Sequence, residues 1–433
     1  MLDIRFIREH PNIVKEGCRK KQVKVDVDKL LKVDEKRRDY LKELESLRAE
    51  QNRQSYLISK AVDPTKRDER IALVSQMKAD IRGYENYLKK IEPEYEKLLR
   101  QIPNLPLEDV PVGQDERDNV VIRKVGKKPK FSTRGGSALG RNFKPKNYLE
   151  IAENLDLIDI KRAAKVSGTR FAYLKKEVVL LEFALINLAF DVLAKEGFIP
   201  VIPPVLIKPN AMRGMGYIDT KQDLAERYFL EKDKLFLIGT SEQSIGPMHQ
   251  DEVLEEKELT KRYVAFSVCF REEAGSYGKD TRGILRVHQF DKVEMFSFCR
   301  PEDSKKEHKF FLKMTEKLMQ YLKIPYQVVQ VCTGDLSRPS AATYDLESWM
   351  PSQNKYRETQ SITNCTDFQA RRLNIRYRNP KTKKLEFVHT LNGTAFAIGR
   401  TLIAIIENYQ KKDGSVEIPK VLQKYLKFKE IKG

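Results

Sequence analysis

The sequence predicts an α+β protein in two parts: an N-terminal antiparallel helical hairpin, and a larger domain with an antiparallel β-sheet flanked by helices. Three observations carry this. First, Val74, Met77, Ile81, Tyr84, Leu88, Ile91, Tyr95, Leu98 and Ile102 follow one another in alternating steps of three and four. That is the 3.5-residue seam of a coiled coil. Second, the proline-rich stretch IPNLPLEDVPVG (102–113) closes the helical region. Third, from about residue 149, helical stretches such as 176–196 alternate with short β-branched and aromatic runs. Several of these runs place polar residues at every second position, as strands with one face in a core do. Irregular polar loops between strands favour an antiparallel sheet over a parallel one.

Each element has its own justification. Residues 26–60 read as one long polar helix, with Leu30, Val33, Tyr40, Leu44, Leu47 and Ile58 on one stripe, interrupted by Arg37, Gln51 and Gln54. AVDPTKRDE supplies the turn, and Pro64 opens the next helix. Pro93 lies inside the seam and predicts a kink. At 1.5 Å per residue each helix would be roughly 50 Å long. With a single apolar stripe apiece, the helices cannot form a globule, so the hairpin (about 27–102) must project. On pattern alone it is either a spacer or dimerisation device, or an arm that grips nucleic acid. The expected organisation is an N-terminal domain over 1–112, a basic linker over 113–148 and the sheet domain over 149–433. Between 123 and 149 stand Arg123, Lys124, Lys127, Lys128, Lys130, Arg134, Arg141, Lys144 and Lys146 with no acid. That is either a solvated linker or a phosphate contact.

Composition narrows the classes. With 433 residues, of which 40% are hydrophobic, the chain can build more than one core. Its net charge of +19 implies an anionic partner, nucleic acid or a membrane surface. No apolar run reaches the roughly 18 residues of a membrane span. The charged start MLDIRFIREHPNIVKEG lacks a signal-peptide apolar block. A soluble, cytoplasmic protein is expected. Cys18, Cys269, Cys299, Cys332 and Cys365 are scattered without a CxxC pair, which argues for reduced thiols and against a disulfide framework or zinc site. Neither GxxxxGK[ST] nor GxGxxG occurs, so phosphate binding cannot rest on those loops.

Chemistry concentrates in three clusters. CFREEAGSYGKDTRGILRVHQFDKVEMF (269–296) reads strand, polar loop, strand, and carries Arg271, Glu273, Lys279, Asp280, Arg282, Arg286, His288, Asp291, Lys292 and Glu294. Arg271 and Glu273 share one strand face, as do Phe290, Lys292 and Glu294 on the return strand. Arg271 and Glu273 taken alone could be a structural ion pair. With an aromatic platform and further carboxylates, the set suits a nucleotide plus a small amino-bearing ligand. NKYRETQSITNCTDFQARRLNIRYR (354–378) is too polar for a core strand. In TLNGTAFAIGRTLIAIIENYQ (390–410), Arg400 stands alone in an apolar helix and needs a phosphate or a carboxylate as partner.

These residues closely resemble the class II aminoacyl-tRNA synthetases in their seryl form. FREEAGSYGKDTRGILRVHQFDKVEMF resembles the second signature motif of that class. LNGTAFAIGRTLIAIIEN resembles the third, with Arg400 as its arginine. GFIPVIPPVLI (197–207) resembles the first, with Pro204 as its proline. GTSE, TNCTDFQARR and the hairpin followed by IPNLPLEDVPVG resemble the seryl-tRNA synthetases specifically. The resemblance runs in unbroken order from about residue 1 to 425. Departures are GTSEQ for the commoner Thr-Ala-Glu run, Thr359-Gln360 after the glutamate, an apparent insertion at RGGSALGRN, and Pro93 in the arm.

The resemblance implies activation of L-serine with ATP and its transfer to the 3′ end of tRNA(Ser), and of tRNA(Sec) where a cell has one. It implies that Arg271 clamps the α-phosphate and the serine carboxylate, with Glu272 beside it. Glu273 would accept from the adenine amino group. Phe290 would stack on adenine, with Arg400 on the other side near the γ-phosphate and Val287 against the nucleotide. Glu358, Thr359, Gln360 and Ser361 would border ATP, Glu358 and Ser361 holding Mg²⁺. Thr240, Ser241 and Glu242 would lie by the serine amino group; Glu294 and Thr394 would read the hydroxyl, with Asn392 close by. It further implies a homodimer through the first motif, an arm that embraces the long variable arm of the tRNA, and no zinc.

Overall fold

The computed structural model describes residues 1–131, 143–274 and 282–433. Arg134 and Arg141, the RGGSALGRN stretch, Lys279 and Asp280 lie outside the described residues. The chain divides into two compact units, Met1–Pro103 and Asn104–Gly433.

The first unit opens with two short helices, α1 (Ile4–Glu9) and α2 (Pro11–Lys20), and continues into α3 (Val27–Lys60) and α4 (Pro64–Gln101). The Asp26 carboxylate accepts from the Lys29 amide and starts α3; Asp63 caps α4 at the Thr65 amide, with Pro64 in the first turn. All nine seam residues of 74–102 are buried or half-buried. The helix runs unbroken through Pro93. Gln54, expected as a break, is instead a buried member of the stripe. Its amide donates to Glu50 at 2.7 Å and its carbonyl accepts from Arg70 at 2.9 Å, so the polar side chain is satisfied inside the seam. Arg37 likewise pairs across the helices with Glu92 and lies 4.6 Å over the Tyr95 ring. Lys29–Glu94 and Arg48–Glu85 continue the antiparallel register.

The second unit is built on an eight-stranded sheet. Its strands are β1 (Val120–Val125), β2 (Phe198–Val201), β3 (Lys261–Phe270), β4 (Gln289–Cys299), β5 (Tyr326–Gln330), β6 (Ala342–Met350), β7 (Lys355–Asn364) and β8 (His389–Ala397). Their spatial order is β1-β5-β6-β7-β8-β4-β3-β2. Every neighbouring pair is antiparallel except β2 with β3. Three long helices, α5 (Glu177–Lys195), α6 (Ser304–Leu322) and α7 (Ile398–Tyr409), contribute Leu185, Phe311, Leu318 and Ile403 to the main core.

The boundary differs from the expected one. Residues from Asn104 onward belong to the sheet unit. The Asn104 amide donates to the carbonyls of Pro339 and Cys365, and the Leu107 amide to Ala341. Part of the expected linker is strand β1, whose Val120–Val125 run pairs with β5. The basic residues drew attention to charge, whereas the β-branched VVIRKV run completes the open edge of β5.

Two bulges decide which side chains face the site. Leu346 pairs with Gln360 and Glu347 with Glu358, which leaves Thr359 as the extra residue on β7. Val293 pairs with Phe396 and Glu294 with Thr394, which leaves Ala395 extra on β8. A bulge shifts the two-residue alternation. Glu358 and Ser361, three apart, therefore reach one cavity.

Candidate functional site

Two adjoining cavities lie over the central strands. One, of about 270 Å³, is lined by Arg271, Glu273, Val287, Phe290, Glu358, Thr359, Ser361 and Arg400, among others. The second, of about 420 Å³, is lined by Thr240, Glu242, Glu294, Asn392 and Thr394 together with Tyr217 and Arg227. Arg271, Glu273, Arg286, Lys292, Ser361 and Thr394 border both. Two arginines, Arg271 and Arg286, therefore face both compartments, one suited to a flat base and phosphates, the other to a small polar molecule.

Arg271 emerges where β3 ends. Its Nε donates to the Gly239 carbonyl at 3.2 Å, and its guanidinium stands 5.1 Å from the Phe290 ring centre. The Arg271 amide donates to the His288 carbonyl, tying the two strands of the motif together. Glu273 follows at φ +51°, a left-handed turn that non-glycine residues seldom adopt, and accepts from Arg286 at 3.2 Å. The return limb is fixed by Gly283 at φ +83°, where a β-carbon would collide with the Tyr148 hydroxyl, which itself accepts from the Ile284 amide.

At the far end of the first cavity Arg400 donates to the Glu358 carbonyl and pairs with its carboxylate at 3.0 Å. Desolvation pushes the Glu358 carboxyl up, but the Arg400, Arg271 and Lys292 charges outweigh it and hold it below the usual carboxylate range. Glu358 is thus an ionised oxygen donor. The hydroxyl of Thr359 is turned inward to Ser348.

The second cavity is the more open of the two, but the carboxylates in its wall, Glu242 and Glu294, are buried. Glu294 is 1% exposed, with the Lys292 ammonium 2.5 Å away. Lys292 and the Thr394 hydroxyl approach it, yet neither carboxylate oxygen receives a well-aligned hydrogen bond. Burial pushes its pKa up to about 7, with Lys292 opposing and Glu242 reinforcing the rise. Burial also raises Glu242, whose carboxylate accepts from the Tyr217 hydroxyl. Arg227 lies 5.2 Å over the Tyr217 ring, and burial followed by the Arg271 charge lowers its pKa. Two carboxylates sharing one ammonium can accept a second cation, and Arg227 and Arg271 can meet an anion.

Three expected residues do not face either cavity. Ser241 is fully buried against the Ser267 hydroxyl at 2.8 Å. Gln360 is fully buried against Met319, because the bulge at Thr359 turns it to the opposite face. Glu272 is half-buried, its amide donating to the Glu226 carbonyl. Sequence reasoning missed Tyr217, Arg227 and Asp345. Tyr217 and Arg227 come from a polar region with no motif. Asp345 sits opposite Ser361 on the neighbouring strand. Its Oδ1 is buried without a hydrogen-bond partner, and burial with the nearby Glu358 charge raises its pKa well above the usual range.

An antiparallel sheet with an arginine at the end of one strand, an aromatic on the next and a second arginine on a following helix is the architecture of a class II aminoacyl-tRNA synthetase core. The family model for that core (glycyl, histidyl, prolyl, seryl and threonyl types) matches residues 228–409, and the model for the seryl-tRNA synthetase N-terminal domain matches residues 1–106. The serine–tRNA ligase of Dictyoglomus thermophilum is 45% identical over 100% of this chain and 99% of its own. That of Pyrococcus horikoshii is 44% identical over 100% and 97%. Among solved structures, P. horikoshii seryl-tRNA synthetase complexed with ATP aligns with a TM-score of 0.89 at 43% identity, covering 100% of this chain and 99% of that one. The Naegleria fowleri cytoplasmic enzyme with AMP gives 0.85 at 34%, with the same coverage. The chain belongs to the seryl-tRNA synthetase family.

Proposed function

We propose that this protein activates L-serine with ATP and transfers it to tRNA(Ser), with the two cavities as the nucleotide and serine compartments. The observation that carries the reading is Arg271, which borders both cavities and is anchored between the Gly239 carbonyl and the Phe290 ring. A serine carboxylate oxygen attacks the α-phosphorus and forms a new O–P bond. The bond from that phosphorus to the bridging oxygen breaks, and its electron pair leaves with pyrophosphate. Two anions must approach at that centre, and a guanidinium fork between them offsets their repulsion and the charge of the transition state. Phe290 offers a face for the adenine and Glu273 an acceptor for its amino group. Arg286 and Arg400 stand along the phosphate tail.

In the second cavity, Thr240 and Glu242 meet the serine ammonium. Glu294, with Thr394 and Asn392 near it, accepts from the hydroxyl. Alanine would leave a buried carboxylate without its partner, so rejection is built into the binding pocket.

Mg²⁺ fits the donor set. Among the described residues no group of three or more His, Cys, Asp or Glu is placed to hold a metal on its own. Ionised Glu358 and the Ser361 hydroxyl provide hard oxygens, and the orphaned Asp345 Oδ1 beside them marks a spot short of positive charge. Bound there with the nucleotide, the ion would neutralise phosphate charge.

The hairpin would hold the variable arm of the tRNA through phosphate and shape, with tRNA(Sec) a second substrate where a cell has one. A homodimer is supported by Leu180 and Phe183 on α5 and by Ile199 and Ile202 at β2, which are all at least 49% exposed. Among the described residues no helix is long and apolar enough to cross a membrane. Serine-dependent exchange of labelled pyrophosphate into ATP tests the activation step directly.

A further inference from the structure

Beyond Arg400 the nucleotide cavity opens into a third one, of about 410 Å³, with which it shares Leu285, Arg286, Glu358 and Arg400. The third cavity adds Lys355, Tyr356 and Arg357, the first three residues of β7. Strand pairing sets Lys355 opposite Met350, Tyr356 opposite Trp349 and Arg357 opposite Ser348. Trp349 and Tyr356 pack edge to face at 5.0 Å. The basic segment left unexplained by the sequence docks on this pair. The Lys128 ammonium lies 3.4 Å from the Trp349 ring centre and 4.8 Å from that of Tyr356, and Lys124 lies 6.0 Å from Tyr356. Cation–π contacts thus hold two more positive charges against the cavity's outer wall. Three carboxylates, Glu116, Glu347 and the Arg400-paired Glu358, also face the space. Against them stand four lining cations, Arg286, Lys355, Arg357 and Arg400, with Lys124 and Lys128 behind.

The position explains the charge. If Arg271 marks the α-phosphate, the leaving group is released toward Arg400, and the third cavity is the open space on that side. A densely charged anion leaving a low-dielectric site follows positive potential. We propose that this vestibule is a transient binding site for pyrophosphate, with Lys355 and Arg357 as its dedicated contacts and Lys128 pinning its wall. The inference rests on the proposed activation reaction and extends it to where the leaving group goes.

The test is a double variant, Lys355→Ala with Arg357→Ala, in the full chain. Pyrophosphate exchange is run at varied pyrophosphate and, separately, at varied ATP. Calorimetry with inorganic pyrophosphate alone gives a second reading that does not depend on turnover. The expected result is a KM for pyrophosphate raised about tenfold relative to the KM for ATP, with a matching loss of pyrophosphate affinity. Equal movement of the two KM values, or no movement of either, overturns the vestibule and assigns the residues to ATP's tail or to none. A raised KM for tRNA with pyrophosphate affinity intact also overturns it, and gives these cations to a polynucleotide. If the unaltered protein shows no serine-dependent exchange, the proposed function itself falls, and the inference with it. Exchange that persists in both proteins with an unchanged pyrophosphate KM removes the vestibule alone.

Discussion

Replacing Glu294 by Gln is the sharpest perturbation of the serine compartment. The side chain is 1% exposed, and both of its oxygens lack an aligned hydrogen bond. A serine hydroxyl supplies the missing donor. A hydrogen bond to a charged group contributes about 2–3 kcal/mol, and alanine would forfeit it, leaving the carboxylate with the Lys292 ammonium but no hydroxyl donor. Glutamine is isosteric but uncharged, and its amide nitrogen can turn toward the ligand as a donor, so the preference shrinks. At about 1.4 kcal/mol per tenfold, the ratio of kcat/KM for serine over alanine should fall by roughly 30- to 150-fold. The assay is pyrophosphate exchange with each amino acid, with the KM for ATP as control. A ratio within about twofold of the unaltered protein would refute the hydroxyl-reading role.

The remaining predictions concern charge, pH and the arm. Arg271→Ala should lower the exchange rate at least about a hundredfold, since it removes a contact that is strongest in the transition state; exchange within a few-fold of the parent would break the assignment. The Glu294 pKa of about 7 means the carboxylate is charged, and able only to accept, above that pH. kcat/KM for serine should therefore rise with pH through about 7, and a profile measured on Glu294→Gln should lack that limb. Glu182 is raised to about 9 by burial and then by its Asp291 partner. The folded state binds a proton there that the unfolded chain releases above its ordinary pKa of 4.5. Stability should accordingly decline as pH rises toward 9, by up to about 1.4 kcal/mol per pH unit, and thermal melts of Glu182→Gln should be flatter across that window. Excising 27–102 and bridging the ends with a flexible linker should spare exchange and collapse tRNA charging; normal charging would make the hairpin a spacer.

What was legible in the sequence followed periodicity and motif. The α4 seam is readable because its nine apolar positions alternate steps of three and four for about eight turns of pattern, and the site arginines because charge stands out in apolar strands. Gln54 was misread because a polar side chain on a seam can satisfy itself with Glu50 and Arg70, which spacing cannot show. Ser241 and Gln360 stand beside lining residues in their motifs, but a bulge or a turn sends them into the core. Strand β1 hid among lysines, since an edge strand need not alternate cleanly when both its faces are partly wet. Tyr217 and Arg227 reach the site, and Asp345 comes to stand behind Ser361, only through tertiary pairing, and they carry no local signature.

The measurement that bears most directly on the account is amino-acid-dependent pyrophosphate exchange by the intact protein with each of the twenty amino acids. The account predicts exchange with L-serine and ATP, with alanine slower by at least about a hundredfold, because a buried carboxylate would lose its hydroxyl partner. Exchange without an amino acid, equal exchange with alanine, or none with serine would contradict it.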